Sequence, residues 1–240
     1  MVRERRPGAR RGLRPRRAAP HPHSPAPRLR DLPAPRPSRG AIGPLFGAAA
    51  FAWPYRLVLA GLYRAGFRPW QLTLLSLTGN GVVAWLLLSG RSFLPGMLLL
   101  VAGLLDVFDG ALARLRGEAS RRGAFLDSVV DRLSDMVVFG ALFWALARHG
   151  DEVEAGLALA ALVVSLLVSH VRAEAEAAGL SLTEGLMQRL ERYVLLMVGL
   201  TAPRALLPVL ALLAGLGAVT LLQRVVLAWR QLARTAKKEE

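Results

Sequence analysis

The chain has 240 residues, of which 53% are hydrophobic, and it carries a formal net charge of +14 at pH 7. It contains no cysteine, which excludes a disulfide framework and thiolate chemistry. Apolar runs of about 20 residues, the length that crosses a bilayer as a helix, recur along the chain. This composition argues against a soluble globule and predicts an all-α integral membrane protein.

Residues 1–43 are rich in Arg, Pro and Ala and have almost no large apolar side chains. Such a segment cannot bury a core, so it is predicted to be a disordered basic tail. Its Arg and Pro content suits anionic lipid headgroups or RNA, but a solvated tail is the favoured interpretation and no nucleic acid partner is expected. Residues 44–70 mix apolar, aromatic and Arg residues, which predicts a juxtamembrane amphipathic helix lying on the membrane.

Residues 71–229 are predicted to form a membrane domain of six transmembrane helices, and residues 230–240 a polar cytoplasmic tail. The predicted spans, of which the fifth is short, are 71–90, 94–115, 123–148, 153–172, 187–203 and 205–228.

The Lys and Arg residues outside the spans predict the orientation. They are concentrated in the N-terminal tail, the 115–122 loop, the 172–192 connection and the C-terminal tail. Cytoplasmic segments carry the excess of Lys and Arg, so both termini and the polar residues beside these loops are predicted to face the cytoplasm. The protein is therefore predicted to be a multi-pass protein of the cell membrane, surrounded by membrane lipids.

Inside the predicted membrane helices lie the aspartates Asp106, Asp109, Asp127 and Asp131. An ionised carboxylate at membrane depth costs several kcal/mol, so these charges must be compensated. The spacing puts each pair on one helical face, and the short loop between the two helices predicts antiparallel neighbours whose acidic faces meet. The compensation could come from bound cations or from the arginines Arg114, Arg122 and Arg132.

The chemistry of these side chains favours a hard cation. Clustered carboxylates without His or Cys suit Mg²⁺ or Mn²⁺ and argue against zinc. Four carboxylates exceed what one Mg²⁺ usually takes from protein, which predicts two divalent ions that clamp phosphates. Arg114 adds a fork-shaped donor for a phosphate group.

Further arginines lie beside the predicted cytoplasmic ends. Arg172, Arg189 and Arg192 could form a pocket for a second phosphate, which favours a phosphorylated acceptor, or could simply reflect the positive-inside rule. Asp135 continues the second acidic face. Two interpretations stay open for it, a supporting role next to the metals or a pair with Arg132.

One motif combines these residues, Asp106-x2-Asp109-Gly110-x2-Ala113-Arg114-x8-Gly123-x3-Asp127-x3-Asp131. It resembles the signature of the CDP-alcohol phosphatidyltransferase family at every fixed position, and the resemblance covers roughly residues 45–230. It implies a transferase of phospholipid biosynthesis in which a hydroxyl attacks the β-phosphorus of a CDP-linked alcohol and displaces CMP. In most bacterial members that alcohol is CDP-diacylglycerol, and members are commonly homodimers.

The resemblance also implies roles for single residues. The two divalent ions, Mg²⁺ or Mn²⁺, would be held by Asp106, Asp109, Asp127 and Asp131. The general base for the incoming hydroxyl would be Asp131. The nucleotide pocket would consist of Asp106, Gly110, Ala113, Arg114, Gly123 and Thr73. Such metals would neutralise the pyrophosphate and stabilise CMP as the leaving group while the base accepts a proton.

The expected acceptor is a small polar alcohol, with inositol phosphate and glycerol 3-phosphate as the candidates. The segments SHVRAEAEAAGL (169–180) and QRLERYVLL (188–196) resemble phosphatidylinositol-phosphate synthase members of the family. Those members tend to carry S-Y-x-R-A-R-A-E and then E-R-P-E-R. This chain departs from the pattern at three positions, His170, Glu174 and Leu190, where Tyr, Arg and Pro are expected.

Other functions remain as alternatives. The nearest is a CDP-aminoalcohol phosphotransferase that acts on diacylglycerol. Less favoured is a divalent-cation transporter with the aspartates as its ion site, because they lie toward one side of the membrane and no broken-helix repeats are evident. A structural membrane anchor ranks last, since it leaves the buried acids unexplained.

Overall fold

The computed structural model describes Leu32, residues 49–180 and residues 189–239, and all regular structure in these residues is helical. The predicted N-terminal tail lies outside the described residues, apart from Leu32. The helices are α1 (Ala49–Arg64), α2 (Pro69–Leu88), α3 (Phe93–Arg116), α4 (Arg121–His149), α5 (Glu152–Ala177), α6 (Arg189–Thr201) and α7 (Leu206–Glu239), with a 3₁₀ turn at Pro203–Ala205.

Capping residues in the sequence explain where the central helices begin and end. Pro69 is the first residue of α2, where its missing N–H costs no hydrogen bond. Helix α3 ends on Gly117, whose φ of 69° lies in the left-handed region that glycine adopts without strain. Helix α4 then starts after Ser120, whose hydroxyl accepts a hydrogen bond from the Gly123 amide. The connection between α3 and α4 is therefore short, and a capping residue defines the helix end on each side of it.

Four helices are long and apolar enough to cross a membrane: α2, α3, α5 and the Leu206–Ala233 part of α7. The other two predicted spans fall short for different reasons. Helix α4 has 29 residues, but its apolar character is interrupted by charged residues near its start. Helix α6 has only 13 residues, because the described part of the predicted 187–203 span is helical only from Arg189 to Thr201.

Two further boundaries differ from the sequence-based expectation. Helix α1, described from Ala49 onward, ends at Arg64, before the end of the segment 44–70 that is predicted to form a juxtamembrane helix. Helix α7 continues to Glu239, so the predicted tail at 230–240 extends the last helix. Its polar residues carry high helix propensity, which explains why the helix does not stop at the end of the apolar run.

The six α-helices after α1 pack as a closed ring in the order α2, α3, α6, α7, α5, α4 and back to α2. The prediction that α3 and α4 pack side by side is wrong, because no Cα–Cα pair between them lies within 8 Å among the described residues. Helix α2 packs against both and keeps their backbones apart. Long polar side chains can therefore meet between α3 and α4 without the helices themselves touching.

Two buried apolar clusters hold this arrangement. The larger joins the six helices α2 to α7 through residues such as Val83, Leu99, Phe139, Ala158, Tyr193 and Leu210. The smaller fastens α1 to α2 and α3 through Leu59, Leu72, Phe108 and Leu112.

Polar and aromatic contacts add to the α1–α3 packing. Tyr55 stacks on Phe108 with ring centroids 5.2 Å apart. At the end of α3, Arg116 donates a hydrogen bond to the Tyr63 carbonyl, 3.2 Å away, and its guanidinium lies 4.8 Å from the Tyr63 ring centroid. Helix α1 is thus attached at both ends to the helix that carries the first pair of aspartates.

A close approach between α5 and α7 generates a stability prediction. A Cβ added to Gly217 would lie 2.7 Å from Cγ1 of Val164, a β-branched side chain with little rotamer freedom. Gly217→Ala should lower the free energy of unfolding by about 1–3 kcal/mol, the range for overpacking. The control is Gly215→Ala on the same helix, where a Cβ meets nothing within 4 Å.

Thermal unfolding in detergent measures both variants. Gly215→Ala should leave the melting temperature unchanged or raise it slightly, because alanine favours the helix over glycine by about 0.5–1 kcal/mol. Equal melting temperatures for the two variants would contradict the close α5–α7 packing.

Candidate metal centre and neighbouring arginines

Three of the predicted metal ligands come together between α3 and α4. Asp106, Asp109 and Asp127 each offer a carboxylate oxygen, and these oxygens all lie within 4.8 Å of one another. Asp109 is buried and the other two are partly buried. Such a group of hard oxygen donors, drawn from two helices, fits a divalent cation of the Mg²⁺ or Mn²⁺ type.

Thr73 lies directly beside this group. Its hydroxyl is 2.5 Å from Oδ2 of Asp109 and 3.2 Å from the carbonyl of Pro69, one turn earlier in α2. Because Pro69 starts α2, Thr73 sits in the first turns of the helix and faces α3. The contact with Asp109 orients a carboxylate of the candidate metal centre, a supporting role that the sequence alone did not reveal.

The remaining predicted nucleotide-pocket residues follow the same two helices. Arg114 is exposed, and its Nη1 lies 3.3 Å from the position that a Cβ on Gly110 would take, so the glycine leaves room for the guanidinium. Ala113 is partly buried beside it. Gly123 lies in the first turn of α4, where a Cβ would be 3.3 Å from Oγ of the capping Ser120. These residues flank the carboxylates on both helices.

The fourth predicted ligand, Asp131, is engaged elsewhere. Its Oδ1 accepts a very short hydrogen bond from Nη1 of Arg189. The same nitrogen lies 2.6 Å from Oδ1 of Asp106. The Asp106 contact is an ion pair without the alignment of a hydrogen bond. Arg189 therefore brings a positive charge from α6 between α3 and α4. The sequence predicts Arg114, Arg122 or Arg132 as the arginine that pairs with an aspartate. The observed partner is Arg189, on α6.

Asp135 lies one turn after Asp131 and is buried. Its carboxylate forms a second group of polar contacts. Its Oδ2 accepts hydrogen bonds from Ser165 Oγ at 2.6 Å and from Arg192 Nη2 at 2.8 Å. The predicted alternative of a pair with Arg132 is wrong. That arginine instead donates to the Ser128 hydroxyl and to the Ser169 carbonyl, at 3.0 and 3.3 Å, because its side chain points toward α5.

The three arginines predicted for a second phosphate are placed differently. Arg189 and Arg192 are partly or fully buried on one face of α6 and both turn toward aspartates. Arg172 is exposed on α5 and forms a 2.8 Å ion pair with Glu176. On the same helix, Glu174 is exposed 4.0 Å from His170.

Arg224 is a buried cation that the sequence reasoning missed. It lies on α7 and donates a hydrogen bond to the carbonyl of Val168, 3.0 Å away. Its positive charge lies close enough to those of Arg172 and Arg192 to repel both, so cations from α5, α6 and α7 are gathered in one region. The available signal was an arginine inside a predicted apolar span, where an ionisable residue calls for a functional explanation.

Comparison with known proteins agrees with this geometry. Residues 67–233 match the model of the CDP-alcohol phosphatidyltransferase family. A phosphatidylinositol phosphate synthase of Mycobacterium marinum is 34% identical over 196 residues, which cover 78% of this chain and 84% of the relative. An archaetidylinositol phosphate synthase of Methanothermobacter thermautotrophicus is 35% identical over 149 residues, covering 60% of this chain and 74% of the relative.

Solved structures are similar as well. The crystal structure of Mycobacterium tuberculosis phosphatidylinositol phosphate synthase with CDP-DAG bound aligns with a TM-score of 0.65 at 35% identity, covering 72% of this chain and 92% of that one. The same enzyme in complex with manganese and citrate gives a TM-score of 0.66, covering 72% of this chain and 87% of that one, at the same identity.

The carboxylate group predicts a metal-binding phenotype. Asp109→Asn should weaken Mn²⁺ binding by more than about 100-fold, beyond the range seen for outer-shell partners, because a buried ligand loses its charge. Isothermal titration of the purified protein with MnCl₂ measures this. The control, Glu118→Gln, removes an exposed carboxylate in the α3–α4 connection and should bind Mn²⁺ as the unmodified protein does. Equal affinities for the two variants would contradict a metal centre at Asp109.

Proposed function

The chain belongs to the CDP-alcohol phosphatidyltransferase family, and we propose that it transfers the phosphatidyl group of CDP-diacylglycerol to a phosphorylated hydroxyl acceptor and releases CMP. The observation that carries the proposal is the meeting of Asp106, Asp109 and Asp127 with the cationic side chain of Arg189 between α3 and α4. Carboxylates that can hold divalent ions and arginines that can bind a second phosphate then border one reaction centre. The relatives named phosphatidylinositol phosphate synthase support the same substrate class.

The proposed membrane arrangement has six spans, α2 to α7, with α1 lying at the interface. Four of the six qualify by length and composition alone. The closed ring supports the other two, because α4 and α6 each pack between two helices of the set. Both termini and the reaction centre are assigned to the cytoplasmic side of the cell membrane, as the arginines Arg116, Arg121 and Arg122 at the α3–α4 connection indicate. The family resemblance supports a homodimer.

The cofactor of the proposed reaction is a pair of divalent ions, Mg²⁺ or Mn²⁺. Asp106, Asp109 and Asp127 would hold them together with Asp131 once that side chain is released from Arg189. The manganese in the crystal structure of the M. tuberculosis relative supports this assignment. Bound there, the ions would neutralise the pyrophosphate and stabilise the departing CMP.

The nucleotide would be held by residues that flank the carboxylates. Arg114 offers a bidentate donor to phosphate, and Gly110 and Ala113 leave the surface of α3 free beside it. Gly123 provides similar room at the start of α4, where the first-turn amides favour an anion. Thr73 keeps Asp109 oriented through its hydroxyl, and Asp106 completes this side of the site.

Asp131 is the proposed general base. The acceptor hydroxyl gives its proton to the Asp131 carboxylate as its oxygen forms a bond to the β-phosphorus of CDP-diacylglycerol. The bond from that phosphorus to the bridging oxygen breaks, and its electron pair leaves with CMP. Asp131 lies one turn beyond Asp127 on the same face of α4. It is next to the arginines of α6 that are proposed to bind the acceptor.

The proposed acceptor is inositol phosphate, with glycerol 3-phosphate as the alternative. Arg172, Arg189 and Arg192 would bind its phosphate, and Arg224 adds a fourth positive charge to this region. The departure at Glu174 does not place an acid among these arginines, because Glu174 is exposed beside His170. Relatives named for inositol phosphate products favour the first acceptor.

An acceptor panel tests the proposal. Purified protein in detergent is expected to release CMP from CDP-diacylglycerol when Mn²⁺ or Mg²⁺ and inositol phosphate are supplied together, and not when the metal is chelated. Glycerol 3-phosphate, inositol and serine serve as matched acceptors. Release with unphosphorylated inositol alone would contradict the phosphate pocket, and release only from a CDP-aminoalcohol with diacylglycerol would establish the reversed reaction.

Asp131→Asn tests the general base. The variant should lower the rate of CMP release by about 10²–10⁴-fold, the usual contribution of a positioned base. Asp151→Asn, an exposed aspartate at the start of α5, is the matched control and should retain full activity. Full activity of Asp131→Asn in protein of unchanged melting temperature would remove Asp131 from the chemistry.

A further inference from the structure

Arg189 lies where cations are needed for the proposed reaction. Its Nη1 is shared between the carboxylates of Asp106 and Asp131, two of the proposed metal ligands. A divalent ion that draws on the same oxygens competes with this guanidinium, since the two positive charges repel each other at such a distance. Arg189 would therefore have to move for metal to bind, and a buried arginine is strongly destabilised unless it gains another partner.

A partner for the displaced side chain is already in position. Nε of Arg189 and Oδ1 of Asp135 are 3.9 Å apart, too far for a hydrogen bond. Both atoms are buried, and neither has a hydrogen-bond partner among the described residues. A small rotation of the guanidinium would satisfy both, and buried charged groups strongly favour satisfied hydrogen bonds.

Neighbouring side chains hold Asp135 ready for this exchange. Ser165 and Arg192 both donate to Oδ2, which fixes the carboxylate and leaves Oδ1 directed toward Arg189. Tyr193 guides the moving group, because its hydroxyl accepts a 3.3 Å hydrogen bond from Arg189 Nη2 and its ring lies 5.1 Å beneath the guanidinium.

We propose that Asp135 is a positioning residue that receives Arg189 when a divalent cation displaces it from Asp106 and Asp131. The proposal rests on the proposed metal site and deepens it. With metal bound, Arg189 and Arg192 would share the Asp135 carboxylate, so the two arginines proposed for the acceptor phosphate become aligned only in the metal-loaded enzyme. Because the two arginines are aligned only when metal is bound, the acceptor binds after the metal.

Mn²⁺ binding in the absence of substrates tests the exchange. Arg189→Gln should bind Mn²⁺ at least about tenfold more tightly than the unmodified protein, the effect of removing one close competing charge. Arg189→Lys keeps a charge and should restore most of the original affinity. Arg132→Gln is the matched control. It removes a charge next to Asp131 from a side chain whose hydrogen bonds within the described residues go to Ser128 and Ser169, and it should change the affinity much less.

A double-mutant cycle isolates Asp135. Asp135→Asn should weaken Mn²⁺ binding several-fold, because Arg189 loses its alternative partner and stays on Asp131. In the Arg189→Gln background the same substitution should have little effect. Equal weakening in both backgrounds would overturn the role of Asp135, and an Arg189→Gln protein that binds Mn²⁺ no more tightly would overturn the exchange itself.

The two proposals can fail separately. Mn²⁺ titrations that follow the expected pattern, combined with no CMP release from any CDP-alcohol, would refute the proposed reaction and leave the exchange intact. Normal CMP release by the unmodified protein, combined with an unchanged Mn²⁺ affinity in Arg189→Gln, would refute the exchange and leave the reaction intact. Should Asp135→Asn fail to fold, Arg189→Gln and Arg189→Lys still decide whether Arg189 competes with the metal, because Asp135 keeps Arg192 as a partner in both.

Discussion

The need to balance buried negative charge governs this bundle. Aspartates stand on the facing sides of α3 and α4, and isolated carboxylates in so apolar a surrounding would be strongly disfavoured. The arginines of α6 supply the balance, with Arg189 between Asp106 and Asp131 and Arg192 on Asp135. Helix α6 is short and only moderately apolar, and its first turn is where the bundle gains its cations. The ionic contacts therefore fix where α6 meets α3 and α4.

The helix ring creates the conditions for this balance. Because α2 packs against both α3 and α4, the two acidic helices are held apart at a distance that carboxylates and one guanidinium can bridge. Direct contact between the helices would have left no room for either metal or substrate. The apolar clusters centred on Phe139 and Tyr193 and on Leu72 and Leu112 maintain that separation from both sides.

Local sequence patterns predicted much of this site. Three-residue and four-residue spacings put the aspartates on helical faces, and three of the four carboxylates do meet. What periodicity could not predict was which helices are neighbours, because that depends on how the whole ring closes. The ion pair between Arg189 and Asp131 spans distant parts of the chain, and so does the contact of Arg224 with α5. Likewise, the charged residues in the first half of α4 lower its hydropathy, so it is not recognised as a membrane span by length and composition.

The short turn between α3 and α4 has a consequence for substrate access. From Asp106 to the end of α3 at Arg116 the helix axis rises about 15 Å, and from the start of α4 at Arg121 to Asp127 about 9 Å. In the proposed membrane arrangement, with this turn at the surface of a 30 Å hydrocarbon layer, the carboxylates lie about a third to a half of the way into the layer. At that level a lipid can offer its headgroup while its acyl chains stay among their neighbours, and a water-soluble reactant needs to descend only a few helical turns. The depth at which the two proposed reactants meet is thus set by the number of helical residues that separate the carboxylates from this turn.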